Sequence, residues 1–257
     1  MDSSSQEAEE KRKINEVKTF FVPFALEAIK EDITINTNAP SKPSKEKIIN
    51  QAFKFHSQGN IPEAAKCYQY CINQDFNDHR VFSNYGAILQ GLGKSQEAEF
   101  SYSKAIEIKP DFAEAHYNRG NVLSSLGKLK ESELSYSKAI EIKSDYAEAH
   151  LNLGNTLRDL SNLEDAELSY RKAIELNSDY AEAHSNLGNI LKSLGKLDEA
   201  IFYYEKAINI DKNLESALEG IGRSLFKKGN HSDGLLKIRE AIGSIGFNPN
   251  KSSITIN

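Results

Sequence analysis

Asparagine recurs in this chain in a pattern that could grip a backbone. Asn84, Asn118, Asn152 and Asn186 are 34 residues apart, and Asn121, Asn155 and Asn189 keep the same period three residues further on. A carboxamide carries both a donor and an acceptor, so a row of them can pair with any extended peptide. Residues three apart on a helix share one face, which would put both rows on one surface. The same amides could instead bond between adjacent helices, and the residues alone leave both readings open. His116, His150 and His184 share the period. A metal needs ligands converging on one point, and a row of single histidines spreads them out, so a packing role is expected. Cys67 and Cys71 lie one helical turn apart with no His or Cys pair beside them to complete a zinc set, and read as buried, inert thiols. No phosphate loop, no Ser–His–Asp pattern and no unexplained carboxylate pair stands out, so catalysis, a cofactor and a metal are all unexpected.

The elements that must position these residues follow from the same period. Lys104 to Lys109 (KAIEIK) recurs at Lys138 to Lys143, and its first residues recur as Lys172-Ala173-Ile174 and Lys206-Ala207-Ile208. Units therefore begin at Lys45, His79, Ala113, Ala147, Ala181 and Glu215. Within each, apolar residues at helical spacing (His150, Leu153, Gly154, Leu157, Leu160) predict a first helix. A turn follows, with Gly93, Gly127 and Gly195 suited to a left-handed residue and Ser161 in that place in the fourth unit. A second helix then runs through Ala166, Tyr170, Ala173 and Ile174. Asp145 with Glu148, and Asp179 with Glu182, have the spacing of a capping box at the start of the first helix.

Gly86, Ala98, Tyr102, Ala105 and Pro110 mark the second unit. Gly120, Tyr136 and Ala139, then Gly154, Ala166, Tyr170 and Ala173, then Gly188, Ala200, Tyr204 and Ala207 repeat them. In these residues and their period the chain resembles the tetratricopeptide repeat. The match is strong over 79–214 and looser over 45–78. Over 215–248, Gly234 and Ile238 stand where Ala and Tyr belong. The resemblance implies an all-α, right-handed solenoid of about six helix-turn-helix units, with a concave groove lined mainly by first helices. It places the asparagine rows in or beside that groove, as in the similar repeat region of the O-linked N-acetylglucosamine transferases. Specificity would then lie in the variable groove positions: Tyr117 with Leu151 as an apolar patch, and Arg158 and Lys192 as partners for a carboxylate or phosphate. Glu114, Glu148 and Glu182 either complete caps or face the groove. The carboxylate clamp of chaperone cofactors lacks its lysine here, because the fifth positions hold Ser83, Tyr117, Leu151 and Ser185.

Composition narrows the partner. With 37 acids against 32 bases, the net charge of -5 disfavours a nucleic acid. Phe20 to Leu26 is too short to span a bilayer, and the start of the chain has no basic segment of a secretory signal, so a cytoplasmic protein is expected. Residues 1–44 read as an extension and linker, acidic and Ser-rich at first, with Pro40 and Pro43 near its end. Its Phe20, Phe21, Phe24 and Leu26 should dock on the solenoid or a partner; the many glutamates around them disfavour a membrane. Residues 45–248 form the solenoid and 249–257 a tail whose Ile-Thr-Ile has strand propensity but nothing to pair with. Leu235, Leu236, Ile238 and Ile242 widen the apolar stripe of the last helix, which suggests self-association there or cover from the tail. Two functions fit: an adaptor that holds a protein or peptide, or the substrate-targeting arm of a glycosyltransferase or oxygenase whose catalytic domain lies elsewhere.

Overall fold

The computed structural model describes residues 44–242, 245–247 and 254–256. The expectations for the N-terminal extension, including the docking of Phe20 to Leu26, lie outside the described residues. Helices occur in six antiparallel pairs: α1 Lys45–Ser57 with α2 Ile61–Asn73, α3 His79–Gly91 with α4 Ser95–Ile108, α5 Ala113–Ser125 with α6 Leu129–Ile142, α7 Ala147–Asp159 with α8 Leu163–Leu176, α9 Ala181–Ser193 with α10 Leu197–Ile210, and α11 Glu215–Lys227 with α12 His231–Ile242. Each second helix also packs on the first helix of the next pair, which gives an all-α repeat solenoid. Consecutive first helices touch from α3 to α11. That crowding puts them on the inner side of the stack.

A glycine and a tyrosine set the spacing within the second to fifth pairs. Tyr68, Tyr102, Tyr136, Tyr170 and Tyr204 are fully buried. A Cβ built on Gly154 would stand 2.7 Å from Cε1 of Tyr170, and one on Gly120 would stand 2.6 Å from that of Tyr136. The bare backbone of the first helix is therefore the surface on which the ring of the second lies. The last pair uses a different solution. A Cβ on Gly222 would meet Cγ1 of Ile238 at 2.5 Å and the carbonyl of Gly234 at 2.8 Å. Two glycines and an isoleucine there replace the glycine, alanine and tyrosine of the other units, and the two backbones come close.

The turn between the helices of a pair needs a left-handed residue. Gly93 has φ of 74° and Ser161 has φ of 63°. At both, the chain closes in the same way: Lys94 N–H donates to Leu89 O at 2.9 Å, and Asn162 N–H donates to Leu157 O at 2.9 Å. Serine thus makes the turn but bears the steric cost of its Cβ. Ser161→Gly is expected to raise stability by about 0.5 kcal/mol, the relief of strain being partly offset by a freer unfolded chain. Urea denaturation followed by circular dichroism checks this, and a lower midpoint would show that the serine is not strained.

Two expectations need correction. The capping boxes do not form: Tyr146 and Tyr180 occupy the N-cap positions of α7 and α9, with no side-chain cap bond. That position is given to packing instead. The ring of Tyr146 lies 4.8 Å from that of Tyr117, and Phe112, its counterpart before α5, meets His79 edge-on at 4.9 Å. Side-chain caps occur at α1 and α3, with Ser44 accepting from Lys47 N–H and Asp78 from Arg80 N–H. The tail strand also has a partner. Ile254–Ile256 (β2) pairs antiparallel with Ile245–Phe247 (β1), Ile245 facing Ile256 and Phe247 facing Ile254.

Candidate functional site

The asparagines of the inner face are wired to one another. Asn121 Oδ1 accepts from the buried Tyr136 hydroxyl at 2.7 Å and from Asn152 Nδ2 of the next repeat at 2.9 Å. One repeat on, Asn155 Oδ1 accepts from Tyr170 at 2.7 Å and from Asn186 Nδ2 at 3.0 Å. The ninth-position oxygen thus anchors the core tyrosine of its own repeat and the sixth-position amide of the following one. Asn189 Oδ1 accepts from Tyr204 at 2.8 Å, but Gly220 offers no amide in the next unit and Lys192 Nζ takes the vacant place at 3.2 Å. At the other end Ala87 stands where a ninth-position asparagine would be, so Asn118 has no such acceptor behind it, and Asn84 turns its amide to Arg80 O at 2.8 Å.

Each link uses one half of each amide and leaves the other. Among the described residues, His184 Nδ1 is the sole buried side-chain nitrogen or oxygen without a partner. The unused Nδ2 of Asn121 and Asn155 and the unused Oδ1 of Asn152 and Asn186 are therefore not sealed from solvent. The row presents an alternation of donors and acceptors held in place by its own inner bonds, the arrangement an extended backbone can pair with.

Around this row the sequence-based candidates divide. Tyr117 is half-buried on the inner face, its hydroxyl accepting from Asn152 Nδ2 at 3.2 Å. Leu151, one unit on, is only 2% exposed and belongs to the core. It offers no patch to a partner; Ser83 and Ser185, at the same position of their repeats, are buried too. Tyr117 stays at the surface, its ring lying against that of Tyr146. Arg158 is held by Asp159 Oδ1 at 3.0 Å through both Nε and Nη2. Lys192 lies over the Tyr204 ring, and burial, then Arg223 and Lys227, hold its pKa below the usual lysine value.

Glu114, Glu148 and Glu182 are exposed and take no part in capping. They stand near Tyr146 and Tyr180, whose phenol pKa values are raised by burial first and by these carboxylates among the lesser causes. The two tyrosines were missed by the sequence reading, although Phe112, Tyr146, Tyr180 and Leu214 recur with the 34-residue period.

The histidines are packing residues. Nε2 of His116 pairs with Pro110 O at 2.9 Å, that of His184 with Ser178 O at 2.9 Å and that of His150 with Ser144 O at 3.3 Å. A carbonyl can only accept, so each Nε2 carries the proton. Cys67 and Cys71 are buried, and burial, the leading cause in each, raises both thiol pKa values, that of Cys71 to about 11. Burial also lowers the pKa of His56, His79, His116 and His150 below 6.5. The unfolded chain then binds more protons than the fold under acidic conditions, so stability is full above the unfolded value and falls as pH drops through it. The melting temperature is expected to decline between about pH 7 and pH 5.5, and less steeply in His116→Gln/His150→Gln. A flat profile over that range would contradict the buried, neutral state.

Comparison with known proteins agrees with this architecture. Residues 92–127, 120–160 and 154–195 match the family described as TPR repeat, and residues 181–214 match that described as tetratricopeptide repeat. Among curated proteins, the STIP1 homolog of Dictyostelium discoideum is 34% identical over 73 residues, 26% of this chain and 13% of its own length. The peroxisomal targeting signal receptor of Saccharomyces cerevisiae is 28% identical over 64 residues, 25% of this chain and 10% of its own length. The chain thus spans only about a tenth of these relatives. Among solved structures, YrrB, described as a TPR protein with an unusual peptide-binding site, is 26% identical with a TM-score of 0.63, covering 70% of this chain and 92% of its own. MamA is 27% identical with a TM-score of 0.59, covering 61% of this chain and 92% of its own. The Pseudomonas aeruginosa protein pilF shares the fold at 16% identity, with a TM-score of 0.64 over 78% of this chain and 93% of its own. No helix among the described residues is long and apolar enough to cross a membrane. Residues 92–214 match tetratricopeptide-repeat families, and the helix pairs share the repeat-solenoid fold of these neighbours.

Proposed function

We propose that the chain is an adaptor that binds an extended peptide, or an extended segment of a protein, along the inner face of its first helices, and that it acts by binding and not by catalysis. The observation that carries this is the wired asparagine row, whose outward donors and acceptors repeat along the array while its inner bonds keep them from collapsing on one another. Tyr117, Tyr146, Glu114 and Glu148 suit a cationic or aromatic side chain of the partner at one place, and Lys192 with Arg223 and Lys227 suits an acidic one at another. YrrB, with its peptide-binding site, supports a peptide as the kind of ligand. A cytoplasmic place of action fits the reading, and neither nucleic acid nor a membrane is among the partners it requires. The test is affinity capture with Asn121, Asn155 and Asn189 replaced together. Loss of the partner supports the groove, whereas loss on replacing the exposed Glu164 and Glu205 of the second helices would place binding elsewhere. Glu167 cannot serve as such a control, since it ties Arg171 and Lys196 together at 2.7 and 2.8 Å.

A targeting arm of a glycosyltransferase or oxygenase would use the same groove in the same way, and the asparagine row is the feature that favours it. Self-association through α12 is a further part of the proposal, supported by the exposure of Leu235 and Leu236, at 61% and 59%.

A further inference from the structure

Lys192 is a half-buried cation with no ion pair among the described residues. Its Nζ donates to Asn189 Oδ1 at 3.2 Å and lies 5.6 Å from the centre of the Tyr204 ring. A buried charge costs free energy unless an opposite charge answers it. Gly220 of α11 packs on the same ring, since a Cβ there would stand 2.6 Å from Tyr204 Cε1. Arg223 and Lys227 follow Gly220 by three and seven residues, on the same face of α11. Three bases from two helices therefore gather beside the ring of Tyr204.

This gathering belongs to the last junction between repeats. The equivalent places hold Ser124, Asn155 and Asp159 between the third repeat and the fourth, and Arg158, Asn189 and Ser193 between the fourth and the fifth. Neither collects more than one base. A base in the last turn of a helix suits its terminal carbonyls, which explains Lys192 and Lys227 one at a time. It explains neither Arg223, a turn earlier, nor the crowding of three like charges. Burial first, then Arg223 and Lys227, press the Lys192 pKa down, and Glu219 acts the other way. Glu219 Oε1 is itself taken by Arg223, through Nε at 2.9 Å and Nη2 at 2.5 Å. Three bases against one acid leave a surplus of two positive charges, in a chain whose net charge is -5.

The size of the surplus selects the ligand. A phosphate monoester carries a charge of about -1.5 to -2 at pH 7 and three acceptor oxygens. A single carboxylate would leave one base unanswered. Lys192 and Lys227 offer ammonium donors, and Arg223 keeps N–H groups beyond the two given to Glu219. Charge-assisted bonds from three separate side chains suit a tetrahedral group better than a planar one. The place also fits a side chain of a bound segment. The amide row ends here because Gly220 supplies no amide, so a backbone paired with Asn155 and Asn186 reaches Lys192 at its end. A nucleic acid is a poorer match, because the exposed Glu148 and Glu182 stand on the same first helices and would repel a longer polyanion.

We propose that Lys192, Arg223 and Lys227 form a phosphate subsite at the end of the amide row, which takes a phosphorylated serine or threonine of the bound segment. This rests on the groove being a peptide site, but its test needs no partner. The full chain, with isotope-labelled lysine side chains, is titrated in the NMR spectrometer with inorganic phosphate, with N-acetyl-O-phosphoserine amide and with N-acetylglutamate amide. Phosphate and the phosphoserine compound are expected to shift the Lys192 and Lys227 signals saturably and to raise the pH at which Lys192 titrates. The glutamate compound should bind about 10-fold more weakly or worse. Lys192→Gln/Lys227→Gln should weaken phosphate binding by about 10-fold or more, as loss of hydrogen bonds to a charged group does, with the helical signal unchanged. Lys130→Gln/Lys212→Gln, which removes the same charge from exposed places elsewhere, should leave it intact. Absence of saturable binding overturns the proposal. So does binding that survives Lys192→Gln/Lys227→Gln or falls equally in the control variant. Equal binding of the glutamate compound overturns phosphate in favour of a carboxylate. A failure here leaves the amide row to be judged by capture of the partner, and a failure of the row in that experiment leaves phosphate binding to be judged here.

Discussion

Replacing Tyr170 by alanine lowers the stability of the solenoid by about 3–5 kcal/mol, the cost of truncating a fully buried aromatic side chain. The ring is 0% exposed, it lies on the bare backbone of Gly154, and its hydroxyl holds Asn155 at 2.7 Å. Tyr170→Phe separates the two contributions. It keeps the ring and removes one hydrogen bond, so it should cost only about 1 kcal/mol. Gly154→Val attacks the same contact from the other side by forcing a side chain into the place of the ring, and overpacking of this kind costs about 1–3 kcal/mol or more. Urea titration followed by circular dichroism measures all three. A loss in Tyr170→Phe as large as that in Tyr170→Ala would show that the hydroxyl, and not the ring, holds the pair together. The repeat array makes these losses local, since each unit touches only its neighbours. Hydrogen exchange should therefore rise first in α7 and α8 and least in α1.

Changing Asn121, Asn155 and Asn189 together to alanine weakens partner capture by about 10- to 1000-fold, taking about 0.5–1.5 kcal/mol for each lost hydrogen bond. The same variant also removes the acceptors of Tyr136, Tyr170 and Tyr204, so it loses stability as well. Aspartate at the three positions distinguishes the effects. A carboxylate keeps an oxygen for the tyrosine hydroxyl and for the next amide, but has no Nδ2 donor to offer outward. Binding should fall in the aspartate variant while the urea midpoint stays closer to wild type than in the alanine variant. If capture tracks the midpoint in both variants, the asparagines serve the fold and the partner does not touch them.

The 34-residue period made the helices readable almost to the residue, because the second to fifth units announce themselves by a glycine, a small residue and a tyrosine whose shapes must fit. All six first helices begin where the period places them. What failed is what depends on the next repeat. Leu151 reads as an inner-face residue on its own helix, and it is buried in a core cluster that several helices share. Asp145 and Glu148 have the spacing of a cap, but spacing alone does not reveal that Tyr146 is wanted on Tyr117 and pulls the start of the helix with it. Glu167 reads as a solvated acid until Lys196, from the following unit, closes over it. The amide links were half legible: both readings of the asparagines were visible, and the two turn out to be compatible, one for each half of the side chain.

The asparagine wiring has a bearing on how a ligand could be measured out along the array. From the third repeat to the fifth the amides are chemically alike, so a strand shifted by one repeat meets the same donors and acceptors and gains nothing by staying where it was. A backbone alone would slide. Two features break that translational symmetry: the Tyr117 and Tyr146 pair near the start of the row, and Lys192, which ends it because Gly220 supplies no further amide. The groove is then a ruler with two marks, and a partner is fixed in register by the number of residues between the side chains that reach them.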